Sequence, residues 1–303
     1  MKRFIILASL LFMLVTSGCS QAARETVKTG PPQMQPGIMK VHFIDVGQAD
    51  AILVQAGEES MVIDAGNNDD GDRVVDYLKQ LGIKKLAVVM GTHPHEDHIG
   101  GLDNVIKTFA VDKVYLPKVN HNTKTYRDVL LAVKEKNLRV TAARGGQSFS
   151  LGEARVEILA PNGTRYEELN DYSIVCKVTF GDSRFLFTGD AEAVSEQEML
   201  NNGCNLKADV LKVGHHGSSS STGERFLKAV SPKMAVISVG RKNDYGHPHR
   251  ETLQRLAAAR IKVYRTDKAG TIVMTTDGKK IEVETARSAA AEEKETGVRR
   301  EDR

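Results

Sequence analysis

Nine histidines occur in this 303-residue sequence, and seven of them gather in three short clusters: His93, His95 and His98; His215 and His216; His247 and His249. The first cluster reads THPHEDHIGG and follows the apolar run LAVVM, so its side chains emerge where a strand ends and a helix begins. Extended spacing throws His93 and His95 to one side, while Asp97 and His98 arrive a turn later and face a second point nearby. Imidazole nitrogens suit zinc and other borderline first-row ions, and the Asp97 carboxylate suits a harder one. One loop can therefore supply ligands to two metals. A lone histidine is more often a hydrogen-bonded core or surface residue, a reading that does not account for the string HPHEDH.

The other clusters leave more than one role open. His247 and His249 bracket Pro248 just after the apolar run MAVISV. His247 is a candidate proton donor to a leaving group or a phosphate contact, because imidazole titrates near working pH; the plainer alternative is a histidine that caps the following helix. His249 shares the expectation of substrate contact. Ser218 to Ser221 and Thr222 are either hydroxyl donors to a bound phosphate or a helix cap, with the cap favoured for Thr222. GQAD at Gly47 to Asp50 is equally well a phosphate nest or a turn.

These residues must be positioned by elements that the rest of the pattern reveals. VHFIDV, AILVQA, MVIDA, LAVVM, VEIL, SIVCKVTF, RFLFTG, DVLKV, MAVISV, IKVY, TIVMTT and KIEVE are strand candidates bounded by Gly, Asn and Asp turn signals. Helix-like spacing runs over Asp72 to Leu81, Tyr126 to Lys136, Ala193 to Asn201, Thr222 to Val230 and His249 to Ala259. Three consecutive strands come first and helices interleave only later, which suits mixed sheets with helices on their outer faces better than a purely parallel wound sheet.

Composition narrows the function classes. Hydrophobic residues make up 41% and charged residues 27%, the balance of a globular domain rather than a disordered chain. A net charge of +3 gives no large basic field, and the absence of Trp weakens the case for a base-stacking surface of the single-strand-binding kind. Any polyanion must be held by local contacts.

The ends of the chain read as address and tether. Lys2 and Arg3 precede an apolar run from Phe4 to Val15 and then Thr16, Ser17, Gly18 and Cys19, the layout of a secretory signal. LVTSGC resembles a bacterial lipoprotein lipobox, which implies a signal peptide over residues 1–19, lipidation at Cys19 and a membrane anchor on an exported protein. Residues 20–37 hold Pro31, Pro32 and Pro36 and read as a flexible tether. A single globular domain is expected over 38–285, and the charged tail 286–303 is expected to be disordered. Cys176 and Cys204 are expected to stay unpaired.

HPHEDH matches the His-x-His-x-Asp-His signature of the metallo-β-lactamase superfamily, which implies an αββα sandwich: two mixed β-sheets flanked by helices, an α/β (α+β) fold. More narrowly, FIDVGQADA, IDAG, FTGD, ADVLKVGHHGS and YGHPH resemble the hydrolase domain of ComEC-type DNA-uptake proteins. That resemblance covers nearly all of residues 39–284 and lacks the membrane-channel segments of those proteins. It implies His93 and His95 on one metal, Asp97 and His98 on the other, and Asp190 bridging both. The HHGS element adds a further ligand, His216 in preference to His215. Asp64 would orient the metal-binding loop through hydrogen bonds.

One departure from the superfamily pattern bears on the first metal. Many members carry another metal-binding His before the bridging Asp, yet His121 in the loop NHNTKT is the only His between His98 and Asp190. Water, Asn170 or Ser173 would fill the gap, and fewer imidazoles leave the pair of divalent ions open between zinc and manganese. The implied activity is metal-assisted hydrolysis of a phosphodiester, with DNA outside the cytoplasm as substrate. Two rivals stand beside it: a hydrolase of another phosphodiester, such as a phosphorylcholine-type wall polymer, and a non-catalytic surface lipoprotein that binds DNA. The motifs around HHGS and YGHPH depart from those of β-lactamases.

Overall fold

A computed structural model describes residues 37–287. The signal segment with Cys19, all of the tether except Gly37, and residues 288–303 of the tail lie outside the described residues. Fifteen strands form two sheets. The first sheet contains β1 (Met39–Phe43), β2 (Ala51–Ala56), β3 (Glu59–Ala65), β4 (Lys85–Met90), β5 (Ala110–Pro117), β6 (Val140–Ala143), β14 (Ile272–Thr276) and β15 (Ile281–Thr285), in the order β15-β14-β1-β2-β3-β4-β5-β6. The second contains β7 (Ser148–Leu151), β8 (Ala154–Ala160), β9 (Val175–Phe180), β10 (Ser183–Phe187), β11 (Val210–Lys212), β12 (Met234–Ile237) and β13 (Lys262–Arg265), in the order β13-β12-β11-β10-β9-β8-β7. Helices α1 (Gly71–Gln80), α2 (Glu96–Ile99), α3 (Leu102–Thr108), α4 (Lys124–Glu135), α5 (Ala193–Asn201), α6 (Glu224–Val230), α7 (Arg250–Ala258) and α8 (Thr266–Ala269) interleave from β3 onward.

Strand β2 is buried on both faces, which explains why it reads as a continuous apolar run rather than an alternating one. Phe43, Ile63, Phe185 and Phe187 fill the space between the sheets. Val74, Val75 and Leu78 of α1, spaced one turn apart, cover the outer face of the first sheet with α3 and α4. Met199, Phe226 and Leu256 place α5, α6 and α7 on the outer face of the second. The result is the four-layer sandwich implied by the sequence.

Each sheet changes from antiparallel to parallel pairing part way across. In the first the change falls at β3/β4 and in the second at β10/β11. Parallel neighbours end on the same edge, so the segments after β3, β4, β10, β11 and β12 emerge together. Asp64 stands at the end of β3, and the segments that follow the other four strands carry the HPHEDH string, Asp190, the HHGS string and His247. Parallel pairing within each sheet, together with the packing of one sheet on the other, thus brings residues 183 positions apart in sequence to one rim.

Three strands and the helices α3 and α8 escape the pattern reading. Exposed Asp112 and Lys113 interrupt the first half of β5, where Lys85 and Asp112 form a surface ion pair at 2.7 Å. The four-residue strands β6 and β7 are largely exposed and carry little apolar signal. Helix α3 follows the glycine pair of HIGG too closely for a cap signal to show. Cys176 and Cys204 are both free thiols. Among the described residues, no helix is long and apolar enough to cross a membrane.

Candidate metal centre

The HPHEDH string folds as an extended stretch that enters the short helix α2, and its first anchor is Asp64. This residue sits at the end of β3 with a positive φ of 57°, a conformation that Asp tolerates better than most side chains. Its carboxylate accepts from the Thr92 N–H at 2.7 Å and the Thr92 hydroxyl at 2.7 Å, and meets His98 Nδ1 at 2.8 Å. The contact fixes the His98 proton on Nδ1 and turns Nε2 towards Asp190. Gly100 and Gly101 let the loop close onto the turn after β3: a Cβ on Gly100 would stand 2.2 Å from the Asn67 carbonyl carbon.

His98 Nε2 lies 3.2 Å from Asp190 Oδ2 and 3.9 Å from Asp97 Oδ2. His216 Nε2 lies 3.2 Å from Asp97 Oδ2 and 3.6 Å from Asp190 Oδ2, while its Nδ1 points at the Ser238 carbonyl at 3.0 Å. Ligand atoms of Asp97, His98, Asp190 and His216 all fall within 4.8 Å of one another. His93 Nε2 and His95 Nδ1 converge separately at 2.9 Å. His215 turns its Nδ1 to Glu192 Oε1 at 2.9 Å, which leaves Nε2 on the cleft side, 3.8 Å from Asp190 Oδ2.

The donor set fits divalent cations. His98 Nε2 and Asp190 Oδ1 are buried without an aligned hydrogen-bond partner, and a buried polar atom without a partner calls for one. Burial opposes charge on His98, yet Asp190, Asp97 and Asp64 together raise it well above its ordinary value. Burial likewise opposes ionisation of Asp190, and His98 and His216 outweigh it and hold the carboxyl well below the usual range. Carboxylates that draw a proton onto a buried imidazole offer the same attraction to a cation. Burial keeps His93 neutral, well below its ordinary value, in the form that ligates.

The two side chains expected to fill the gap at the first pair have partners of their own, and Asn170 Oδ1 remains buried without one. Ser173 Oγ accepts from the Asp190 N–H at 3.0 Å and lies 3.4 Å from His93 Nδ1, the nitrogen opposite the one facing His95. Asn170 Nδ2 donates to Glu192 at 3.0 Å and approaches His215 at 3.4 Å. Both brace the centre from behind. His121 is half-buried and meets Thr123 Oγ1 at 3.0 Å.

The remaining expected residues divide between cleft and scaffold. A cleft of about 310 Å³ opens over the centre, lined by Gln48, His95, Glu96, Asp97, Asp190, His215, His216, Tyr245 and His247. Burial and the neighbouring histidines lower His247 to about 4, so at neutral pH its ring is uncharged and suits a hydrogen-bond contact better than a proton reserve. His249 and Ser218 lie outside that lining. His249 Nδ1 accepts from the Ser219 N–H at 2.9 Å and its Nε2 meets the Tyr245 carbonyl at 3.2 Å; Ser218 Oγ pairs with Ser220 Oγ at 2.9 Å. Both are committed to loop architecture. Thr222 does not cap α6, whose N-cap is Gly223; its hydroxyl accepts from the Gly214 N–H at 3.1 Å.

Residues missed in the sequence complete the support. Lys212 is fully buried in β11, in contact with Asp50 Oδ2 and 3.8 Å from Asp190 Oδ1. Burial pulls the ammonium down, but Asp50 and Asp190 outweigh it, so it keeps its charge. A Lys inside the apolar run DVLKV was the visible signal. The GQAD turn is structural as well: Gln48 Oε1 accepts from the Gly240 N–H at 3.0 Å, and the Asp50 N–H donates to the Asp97 carbonyl at 3.0 Å.

Two facing sheets with a His/Asp cluster at their common rim define a metal-dependent hydrolase of the metallo-β-lactamase class. Residues 44–241 match the model of the metallo-beta-lactamase superfamily, and the chain belongs to that family. It is 35% identical over 251 residues to ComE operon protein 3 of Bacillus subtilis, covering 77% of this chain and 32% of that protein. It is 29% identical over 261 residues to Recombination protein 2 of Haemophilus influenzae, covering 84% of this chain and 31% of that one. The chain thus spans about a third of the length of these curated relatives. In fold it is similar to the metallo-beta-lactamase fold protein YhfI from Bacillus subtilis, with a TM-score of 0.54 at 15% identity, covering 79% of this chain and 100% of that one.

Proposed function

We propose that this protein is a phosphodiesterase that hydrolyses DNA outside the cytoplasm, using two divalent ions, zinc or manganese. The observation that carries the reading is the group of half-buried Asp97 and buried His98, Asp190 and His216, whose donor atoms face one another beneath an open cleft. The name of one relative, Recombination protein 2, supports DNA as the substrate.

His93 Nε2 and His95 Nδ1 would hold one ion; Asp97, His98 and His216 the other, with Asp190 shared. Cations in such a site act as Lewis acids that lower the pKa of water and neutralise charge growing on phosphate oxygens. The chain's own residues do the positioning. Asp64 and the Ser238 carbonyl take the Nδ1 protons of His98 and His216, so that both Nε2 lone pairs face inward. Glu192 orients His215 in the same way, which leaves its Nε2 on the cleft side, where it can hold or pass a proton at the leaving oxygen. His247 adds a neutral contact to the bound phosphodiester.

The test is hydrolysis of single-stranded DNA by purified protein with added Mn²⁺ or Zn²⁺, beside a variant carrying Asp97→Ala and His98→Ala. Loss of cleavage in that variant is expected; unchanged cleavage would point to a contaminant or another site. Lipidation at Cys19 is proposed as the anchor. Cys19→Ser should move the protein from the membrane fraction to the soluble one, and continued membrane retention would contradict it.

A further inference from the structure

Among the described residues, Tyr245 is the most exposed large side chain with an apolar surface, at 68%, and it stands in the wall of the cleft over the metal centre. The loop that carries it is tied down. Asn243 Nδ2 donates to the carbonyls of Gly240 at 3.0 Å and His247 at 2.7 Å, and Asn243 Oδ1 accepts from the His247 N–H at 2.9 Å. His249 Nε2 holds the Tyr245 carbonyl itself at 3.2 Å. The backbone is therefore fixed on both sides of the ring.

The ring planes form a series. His216 and His247 lie at 25° with centroids 6.3 Å apart, and His247 and Tyr245 at 21° with centroids 5.6 Å apart. Starting at a metal-facing imidazole, the series steps outward through the cleft and ends on Tyr245, which rests on His247 and leaves its outer side to solvent.

We infer that Tyr245 is the seat of a nucleobase: the base of the nucleotide beside the scissile phosphate stacks on its open face. The inference rests on the phosphodiesterase reading and narrows it to single-stranded nucleic acid, because a base within a duplex already has both faces covered. Stacking on one pre-positioned ring tolerates any base, since every base has a π-face. A quaternary ammonium headgroup needs a cage of several rings, and Tyr245 is the one tyrosine in a wall otherwise made of imidazoles, carboxylates and an amide.

The experiment uses full-length protein loaded with Mn²⁺ and three diesters: a single-stranded thymidylate oligomer, the same oligomer built from abasic sugars, and glycerophosphocholine. KM is measured for each, and Kd for phosphorothioate forms of the two oligomers by fluorescence anisotropy. In the unaltered protein, loss of the bases should raise KM and Kd about tenfold. Tyr245→Ala should bring the two oligomers to equal KM and Kd, while Tyr245→Phe should keep them about tenfold apart. Discrimination that survives Tyr245→Ala would overturn the inference, as would an equal weakening of both oligomers. A Tyr245→Ala effect confined to glycerophosphocholine would overturn it in favour of a cationic headgroup. If no diester is cleaved at all, the phosphodiesterase reading fails, and the Kd comparison still decides whether Tyr245 carries a base.

Discussion

Replacing Asp64 with Asn separates charge from shape at the residue on which the metal loop hangs. Asn adopts a positive φ readily, so the backbone at φ 57° is retained, and the side chain keeps its size. What changes is hydrogen bonding. The carboxylate receives the Thr92 N–H, the Thr92 hydroxyl and the His98 Nδ1 proton, all within 2.8 Å. An amide offers a single acceptor oxygen, and its NH₂ is forced against at least one buried donor. Leaving a buried group unsatisfied costs about 1 to 3 kcal/mol, which for a domain of this size lowers Tm by roughly 2 to 10 °C. The larger effect falls on the metal: without the carboxylate, His98 loses its fixed tautomer, and loss of such a partner typically weakens metal binding about 10- to 100-fold. Thermal unfolding of the metal-free protein, together with competitive titration of Zn²⁺ and Mn²⁺ by calorimetry, reads both quantities. A D64N protein that binds either ion as tightly as the unaltered one would falsify the orienting role.

Three further outcomes are expected. His216→Ala should lose about one bound cation per chain by elemental analysis, whereas His215→Ala should keep the metal and lower kcat roughly 100-fold; the reverse pattern would exchange the roles of the two residues. His42 is buried between Tyr77 and Gln55, and burial lowers it to about 4 from an ordinary 6.5. Its neutral form therefore contributes stability that is complete above pH 6.5 and lost as pH falls through about 4, up to about 3 kcal/mol. Urea midpoints of metal-free protein at pH 7 and 4.5 should converge in His42→Gln relative to the unaltered chain, and parallel changes would refute the assignment. Gly100→Ala drives its Cβ to 2.2 Å from the Asn67 backbone and should cost about 3 kcal/mol or more. Gly57→Ala, at φ +60° but with nothing within 4 Å, should cost only about 1 kcal/mol by thermal unfolding.

How much of this was legible beforehand follows from the range of the interactions. The candidate metal ligands stand out in the sequence because ligands must be histidines and carboxylates, residue types otherwise rare in apolar strand ends, and because HPHEDH compresses four of them into one loop. The braces did not. Asn170 and Ser173 were weighed as ligands, and the structure turns both to the rear of the centre, where Ser173 holds the Asp190 N–H and Asn170 holds Glu192. Strand β5 stayed hidden because Asp112 and Lys113 break its apolar run, although its second half is buried.

From the sequence alone came the inventory: mixed sheets with helices on their outer faces, and side chains suited to divalent ions, since composition and periodicity are local properties. Only the folded chain decided which imidazole of the HHGS pair turns inward, that Lys212 and Asp50 form a buried pair beneath Asp190, that His249 and Ser218 serve the loop, and that Tyr245 faces the cleft. Each of those depends on where strands from two sheets end relative to one another, and that is fixed by long-range pairing and close packing rather than by neighbouring residues.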